Sequence, residues 1–284
     1  MAMDAKTNAK TPLESRLTRR GFVTLCGLGL ASLGLAACGA PAGGTATNDK
    51  GYTLVEAGTL MGVSDMAYPP LESIPDGGGS PEGFEIDMMD AIAKKLGLTM
   101  KWLPATKFDT IIPLIKQGGK ADVGVSAFTI TDERKQEIDF TESYLDSNQA
   151  LVAPASVGSL TKEQLNVAGT QVAVQSGTTG ESWVKENLPQ ATCVPLDDAI
   201  QALTGVQTGL YAAAVADLPV MSYLCKQSYT SLKVMIEIPT GEQYGIAISK
   251  DNPALLEAVN SALAAMESDG SMAAIEAEWF GSEL

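Results

Sequence analysis

GFEIDMMDAIAKKLGLTMKWLPATKFDTIIPLIKQGGKADVGVS, residues 83–126, decides the fold. Ile86, Met89, Ile92, Ala93 and Leu96 recur at helical spacing, and Gly97 stands where a helix needs a left-handed stop. A short strand is expected over 99–103. A helix follows over 110–117, with Pro113 near its first turn or kinking it. Residues 121–126 then read as a buried strand with Asp122 at its entrance. Strands and helices alternating this densely cannot bury their apolar faces as separate hairpins. They call for a largely parallel sheet covered by helices.

The same alternation continues toward the C-terminus. A strand is expected over 171–174, and Thr178-Thr179-Gly180-Glu181 fits a capping box that opens a helix to 188. Strands over 193–196 and 211–216 alternate with helices over 198–208 and 218–226. Leu232, Val234, Ile236 and Ile238 alternate as one face of a further strand. Pro253 suits a first helical position, Leu255, Leu256, Val259, Leu263 and Met266 form one stripe, and Gly270 follows. The class is α/β, and ligands of such sheets bind at the carboxyl ends of strands.

Toward the N-terminus the pattern changes. Arg16, Arg19 and Arg20 precede a run over 21–37 with no charge, closed by Leu35-Ala36-Ala37-Cys38. A basic head, apolar middle and small-residue end is the layout of a secretory signal. Thr18-Arg19-Arg20-Gly21-Phe22-Val23 resembles a twin-arginine export signal, and Leu35-Ala36-Ala37-Cys38 resembles the lipobox of bacterial lipoproteins. These resemblances imply a signal peptide over residues 1–37, with Cys38 acylated as the first mature residue. Residues 38–50, rich in Gly, Ala, Thr and Pro, then read as a flexible tether. An uncleaved membrane helix is the competing reading. The run's 17 residues include four Gly and sit at the short end of the spanning range.

Charge narrows the partners. The chain carries 19 Lys and Arg against 34 Asp and Glu, net −15. With the expected signal removed, 14 basic and 32 acidic residues remain, net −18. Such a surface repels nucleic acid and anionic headgroups, so contact with a membrane is expected through the lipid anchor alone. Histidine is absent, which removes Ser–His and Cys–His nucleophile pairs and His-ligated metal sites. No cofactor or metal is expected. Beyond the signal and Cys38, two cysteines remain, Cys193 and Cys225, and both a disulfide and two free thiols stay open.

Particular segments resemble the polar amino-acid binding proteins of ABC importers, the family-3 extracellular solute-binding proteins. They are Gly83-Phe84-Glu85-Ile86-Asp87, Phe108-Asp109-Thr110-Ile111-Ile112-Pro113 and Gly119-Lys120-Ala121-Asp122. Next come Thr129-Ile130-Thr131-Asp132-Glu133-Arg134 and Asp139-Phe140-Thr141-Glu142-Ser143-Tyr144. Val174-Gln175-Ser176-Gly177-Thr178-Thr179, Ala216-Asp217-Leu218-Pro219, Tyr244-Gly245-Ile246-Ala247 and Trp279-Phe280-Gly281 complete the ordered set. The resemblance implies the two-lobed, type II periplasmic-binding-protein-like fold, hinged by two crossover strands near 145–151 and 241–245. Lobe I would hold residues 51–145 and 244–284, and lobe II residues 146–243. It also implies a monomer outside the cytoplasmic membrane that binds an amino acid and delivers it to the permease subunits of an ABC importer. An exported dehydratase of cyclic acids and the sensing subunit of a membrane receptor are the alternatives.

The resemblance carries over residue by residue, and the chemistry agrees. A zwitterion needs a cation and N–H donors for its carboxylate, and a carboxylate for its ammonium. Arg134 matches the family's carboxylate-binding arginine; a solvated Arg in the turn Asp132-Glu133-Arg134-Lys135 is the alternative. Asp217 matches the ammonium-binding aspartate and could also cap the helix that it precedes. Thr178 and Thr179 stand at a helix N-terminus suited to a carboxylate, one of them serving as cap. Ser126, Ala127 and Thr129 match the strand-end segment that meets the ligand, Ala127 through its backbone alone. Tyr68 and Phe108 match the rings that sandwich the ligand side chain, Phe108 being equally suited to anchoring its helix. Asp65 matches a side-chain contact suited to a basic or amide ligand, or else forms an Asx-turn before Pro69-Pro70.

Overall fold

The computed structural model describes residues 46–47, 51–75 and 77–281. The expected signal, Cys38 and all of the expected tether except residues 46–47 lie outside the described residues. Among those described, no helix is long and apolar enough to cross a membrane.

A short antiparallel pair comes first, β1 (Ala46–Thr47) with β2 (Thr53–Leu54). β3 (Thr59–Val63) starts the first sheet, and β4 (Ala67–Tyr68) pairs with β5 (Glu72–Ser73) beside it. α1 (Phe84–Leu96) ends on Gly97 at φ 76, whose N–H caps Ala93 and Lys94 carbonyls. Its inward face, Phe84, Met88, Met89 and Ile92, has no exposure at all. Burying each such side chain contributes about 1.5–3 kcal/mol. β6 (Thr99–Trp102) then lies parallel to β3.

α2 (Phe108–Gln117) starts two residues earlier than the sequence pattern indicates, which moves Pro113 from the first turn into the helix interior. Pro113 is exposed, so water can serve the carbonyl that its missing N–H leaves free. Residues 121–126 are buried as expected and the burial runs on to 129, yet only β7 (Val123–Gly124) is regular strand. At its start Asp122 N donates to Met61 O of β3 at 2.7 Å, while the Asp122 carboxylate accepts from Val55 N and Met61 N, each at 2.8 Å. Ala127, at φ 47, ends the extended run. α3 (Asp132–Glu137) and β8 (Asp139–Phe140) complete this half of the chain.

β9 (Leu145–Pro154) leads into a second sheet. It is followed by α4 (Lys162–Leu165), β10 (Gln171–Gln175), α5 (Thr179–Asn187), β11 (Thr192–Leu196), α6 (Ala199–Gln207), β12 (Ala213–Asp217) and α7 (Leu218–Gln227). β13 (Leu232–Tyr244) then returns to the first sheet, where β14 (Ala247–Ile248) inserts, and α8 (Pro253–Asp269) and α9 (Ser271–Phe280) close the chain. β12 begins two residues later than expected because Tyr211 folds onto Gly205, where a Cβ would meet its ring at 2.3 Å.

The described residues thus form two five-stranded sheets, ordered β6-β3-β7-β14-β8 and β11-β10-β12-β9-β13. β6, β3 and β7 are parallel in the first, and β11, β10 and β12 in the second. β9 and β13 run antiparallel to each other, and the chain passes between sheets through them. Ile130 N donates to Gln243 O at 2.8 Å and Gly245 N to Phe128 O at 3.0 Å, which binds the end of β13 to the first sheet. This is the type II architecture of two α/β lobes joined by two crossing strands. α1, α8 and α9 cover one lobe, with Phe84 and Phe280 rings 5.2 Å apart. α5, α6 and α7 cover the other.

Candidate functional site

The loops at the carboxyl ends of β3, β7, β10 and β12 converge on one narrow cleft between the sheets. Asp65, Tyr68, Phe108, Ser126, Ala127, Thr129 and Arg134 form its first wall, and Thr178, Thr179 and Asp217 its second. The structure therefore brings together all ten residues singled out in the sequence. Gln175 joins them at the end of β10.

Arg134 provides the positive end. It sits in α3, whose first turn Thr131 fixes by accepting from Arg134 N at 3.1 Å. Its guanidinium is half-buried rather than solvated in a turn. Nη1 donates to Thr129 O at 2.8 Å and Nη2 to Gly177 O at 3.0 Å, so one side chain spans both lobes. Cζ lies 5.4 Å from the Phe108 ring centre and 5.6 Å from that of Phe128. These rings stack at 4.7 Å, so the cation rests on an aromatic floor. Phe108 is buried as an anchor of α2 and also lines the cleft. Burial lowers the Arg134 pKa, and the carboxylates of Asp217 and Glu242 oppose that shift.

Asp217 provides the negative end. It stands at the N-cap position of α7, but its side chain makes no capping bond. Oδ2 instead accepts from Tyr244 OH at 2.6 Å, and Oδ1 accepts from Gln149 Nε2. Burial, reinforced by the neighbouring Glu242 carboxylate, pushes the Asp217 carboxyl up to about 7. Its backbone N donates to Tyr68 OH across the lobes at 3.1 Å.

Asp65 also serves twice. Oδ1 accepts from Ala67 N at 3.1 Å, which is the Asx-turn, while Oδ2 accepts from Gln175 Nε2 of the facing lobe at 2.7 Å. Burial raises its pKa. Thr178 acts as the cap of α5, accepting from Glu181 N at 3.1 Å. The expected capping box is incomplete there, because Glu181 reaches past Thr178 to accept from Gly177 N at 2.7 Å. A buried acid pair supports the strand-end segment from below. Ser126 Oγ donates to Glu72 at 2.8 Å, and Ala127 N donates to Glu85 at 2.8 Å. Ala127 thus has no N–H left for a ligand, only its carbonyl. Burial raises the pKa of both Glu72 and Glu85.

Sequence reasoning missed Gln149, Gln175 and Glu242. Glu242 Oε2 accepts from Thr129 Oγ1 at 3.1 Å, Gln149 Nε2 at 2.9 Å and Thr179 Oγ1 at 3.2 Å. Gln175 lay inside a quoted motif at the end of a strand, which was signal enough to find it. Among the described residues no group of three or more His, Cys, Asp or Glu is placed to hold a metal ion, and Cys193 and Cys225 are free thiols. The cleft thus presents a guanidinium from Arg134 and a buried carboxyl from Asp217.

Residues 60–282 match the bacterial extracellular solute-binding proteins, family 3. The chain is 32% identical over 230 residues to the L-cystine-binding protein TcyJ of Escherichia coli (strain K12), covering 81% of this chain and 85% of that one. It is 31% identical over 227 residues to ABC transporter arginine-binding protein 1 of the same organism, covering 78% and 89%. Among solved structures it resembles an ancestral arginine-binding protein bound to glutamine. That likeness has a TM-score of 0.74 at 36% identity, over 80% of this chain and all of the other.

Proposed function

The chain belongs to the bacterial extracellular solute-binding proteins of family 3, and from that premise we propose that it captures a single amino acid with a basic or amide side chain between its lobes. The observation that carries this reading is one cavity with a guanidinium at one end, a buried carboxyl at the other and aromatic walls between them. The relatives are themselves binding proteins, for cystine and arginine among other amino acids. Arg134 takes the ligand's carboxylate bidentately, with the N-terminal turn of α5 beside it. Asp217 takes the ammonium. Asp65 and Tyr68 meet the side chain, with Phe108 opposite. The lobes, residues 51–145 with 244–284 and residues 146–243, close around the ligand as each makes contacts that the open form lacks. The loaded protein, a monomer held outside the cytoplasmic membrane by acylated Cys38, presents the amino acid to the permease subunits of an ABC importer.

A thermal-shift screen of the common amino acids, followed by calorimetry, tests this. Arginine, lysine or glutamine is expected to bind more tightly than glutamate or leucine, and Asp65→Asn to alter that ranking. Tightest binding by glutamate, or a ranking untouched by Asp65→Asn, would remove Asp65 as the selectivity residue.

A further inference from the structure

Four hydroxyl groups around the cavity, those of Ser126, Thr129, Thr178 and Thr179, have already given away their protons. Ser126 Oγ donates to Glu72 at 2.8 Å, and Thr178 Oγ1 donates to Gln175 O at 2.8 Å. Thr129 Oγ1 and Thr179 Oγ1 both face Glu242 Oε2, at 3.1 and 3.2 Å. A carboxylate has no proton to give, so both threonines must be the donors. Each hydroxyl owns a single proton, and what Thr129 and Thr179 turn toward the cavity is therefore lone pairs. Gln149 Nε2 reaches the Asp217 and Glu242 carboxylates together, which holds two acids on one amide. Among the described residues, Asp65 and Asp217 line the cavity and Glu242 adds a third carboxyl through Thr129, with the buried pair Glu72 and Glu85 behind Ser126 and Ala127, against the guanidinium of Arg134. Such surroundings accept hydrogen bonds and are short of positive charge.

We propose that Glu242, on the crossing strand β13, is a selectivity residue of this site: it turns Thr129 and Thr179 into acceptors and supplies a third carboxylate, so that the cavity selects amino acids with net positive charge over neutral ones of similar shape. This rests on the amino-acid reading above and narrows it to cationic ligands. A neutral zwitterion compensates the cavity by nothing net, whereas a dibasic amino acid brings one positive charge and several N–H donors to a surface of lone pairs. Burial is the main cause of the upward push on Asp217, and the Glu242 carboxylate adds to it. Glu242 is held within its own lobe by Thr179 and Gln149 and reaches across to Thr129 of the other.

The experiment is calorimetry of arginine and glutamine against the wild-type protein and Glu242→Gln, with folding checked by thermal melting. Glu242→Met repeats the comparison with a neutral side chain of similar length, and the result is read on whichever variant folds. Losing one unit charge from a partly buried cleft is expected to weaken arginine about tenfold or more. Glutamine, carrying no net charge, is expected to change by less than about threefold. Thr129→Val, which removes a hydroxyl and keeps the carboxylate, is expected to weaken both ligands alike and keep the arginine preference. Equal losses for arginine and glutamine in the Glu242 variants would make Glu242 a clasp between lobes and overturn the proposal, as would no change. A wild type that binds neither ligand would bring down the amino-acid reading itself, and this inference with it.

Discussion

Arg134 and Asp217 line one cavity without pairing with each other. The Arg134 donors go to the carbonyls of Thr129 and Gly177, and the Asp217 acceptors are taken by Tyr244 and Gln149. Opposite charges held apart by their own neighbours present both signs to one cleft. Had they met directly, a ligand would have had to break an ion pair before entering.

Arg134→Ala is therefore expected to abolish amino-acid binding while the fold survives. Removing one partner of a partly dehydrated charge pair costs about 2–5 kcal/mol. That corresponds to roughly thirty- to several-thousand-fold in affinity. Calorimetry checks this, and a change under about threefold would place Arg134 outside the site.

Binding should depend on pH through Asp217. Its carboxyl stands at about 7 in the fold, against about 3.9 in an unfolded chain. Between those values the folded chain holds a proton that the unfolded chain has lost, so this group's contribution to stability declines as pH rises toward 7 and then levels. The ligand's ammonium needs the ionised form. Affinity should therefore climb by up to about tenfold per pH unit on approach to pH 7, then flatten. Calorimetry across that range on the wild type and Asp217→Asn checks it, because the variant should bind weakly with a flat profile.

Gly177 sits at φ 76, and a Cβ there would meet Asp109 Cβ of the facing lobe at 2.9 Å. Gly177→Ala is expected to hold the lobes apart, weakening the ligand about tenfold, while the left-handed backbone itself costs about 1 kcal/mol. Small-angle scattering with saturating ligand should show a larger radius of gyration for the variant. An unchanged radius and affinity would mean that the lobes tolerate the added methyl.

Cys38→Ser is expected to release the protein into the medium or leave it as unprocessed precursor. Fractionation of expressing cells checks this; normal processing with unchanged membrane attachment would show that Cys38 carries no anchor.

The elements that were legible in the sequence are those whose periodicity is unbroken. α1 carries an uninterrupted apolar stripe and a glycine stop, and its bounds came within a residue. α2 was misjudged because Phe108 belongs to the helix although no capping side chain precedes it. The cavity wall was legible through the ordered family motifs, which fall at strand ends and helix starts; Arg134 read by itself looks like a solvated turn residue. Glu242 escaped because β13 shifts register between Ile238 and Glu242. Alternation counted from Leu232 therefore says nothing about which way Glu242 faces. Gln149 escaped for a different reason: its importance lies in touching Asp217, Thr179 and Glu242 at once, and they are brought together only by tertiary folding.

β14 stands in the middle of the first sheet, between β7 and β8, though it follows almost the whole of the second lobe in the chain. During synthesis the two lobes are consequently not equivalent. The second sheet is drawn from one continuous stretch and can assemble as soon as β13 emerges. The first must wait with β8 unattached and the edge of β7 bare until residues 247–248 arrive, an interval in which the exposed edge is open to mispairing with other chains. A chain truncated just before β14 would thus keep a foldable second lobe and lose the first, although most of the first lobe's residues would still be present.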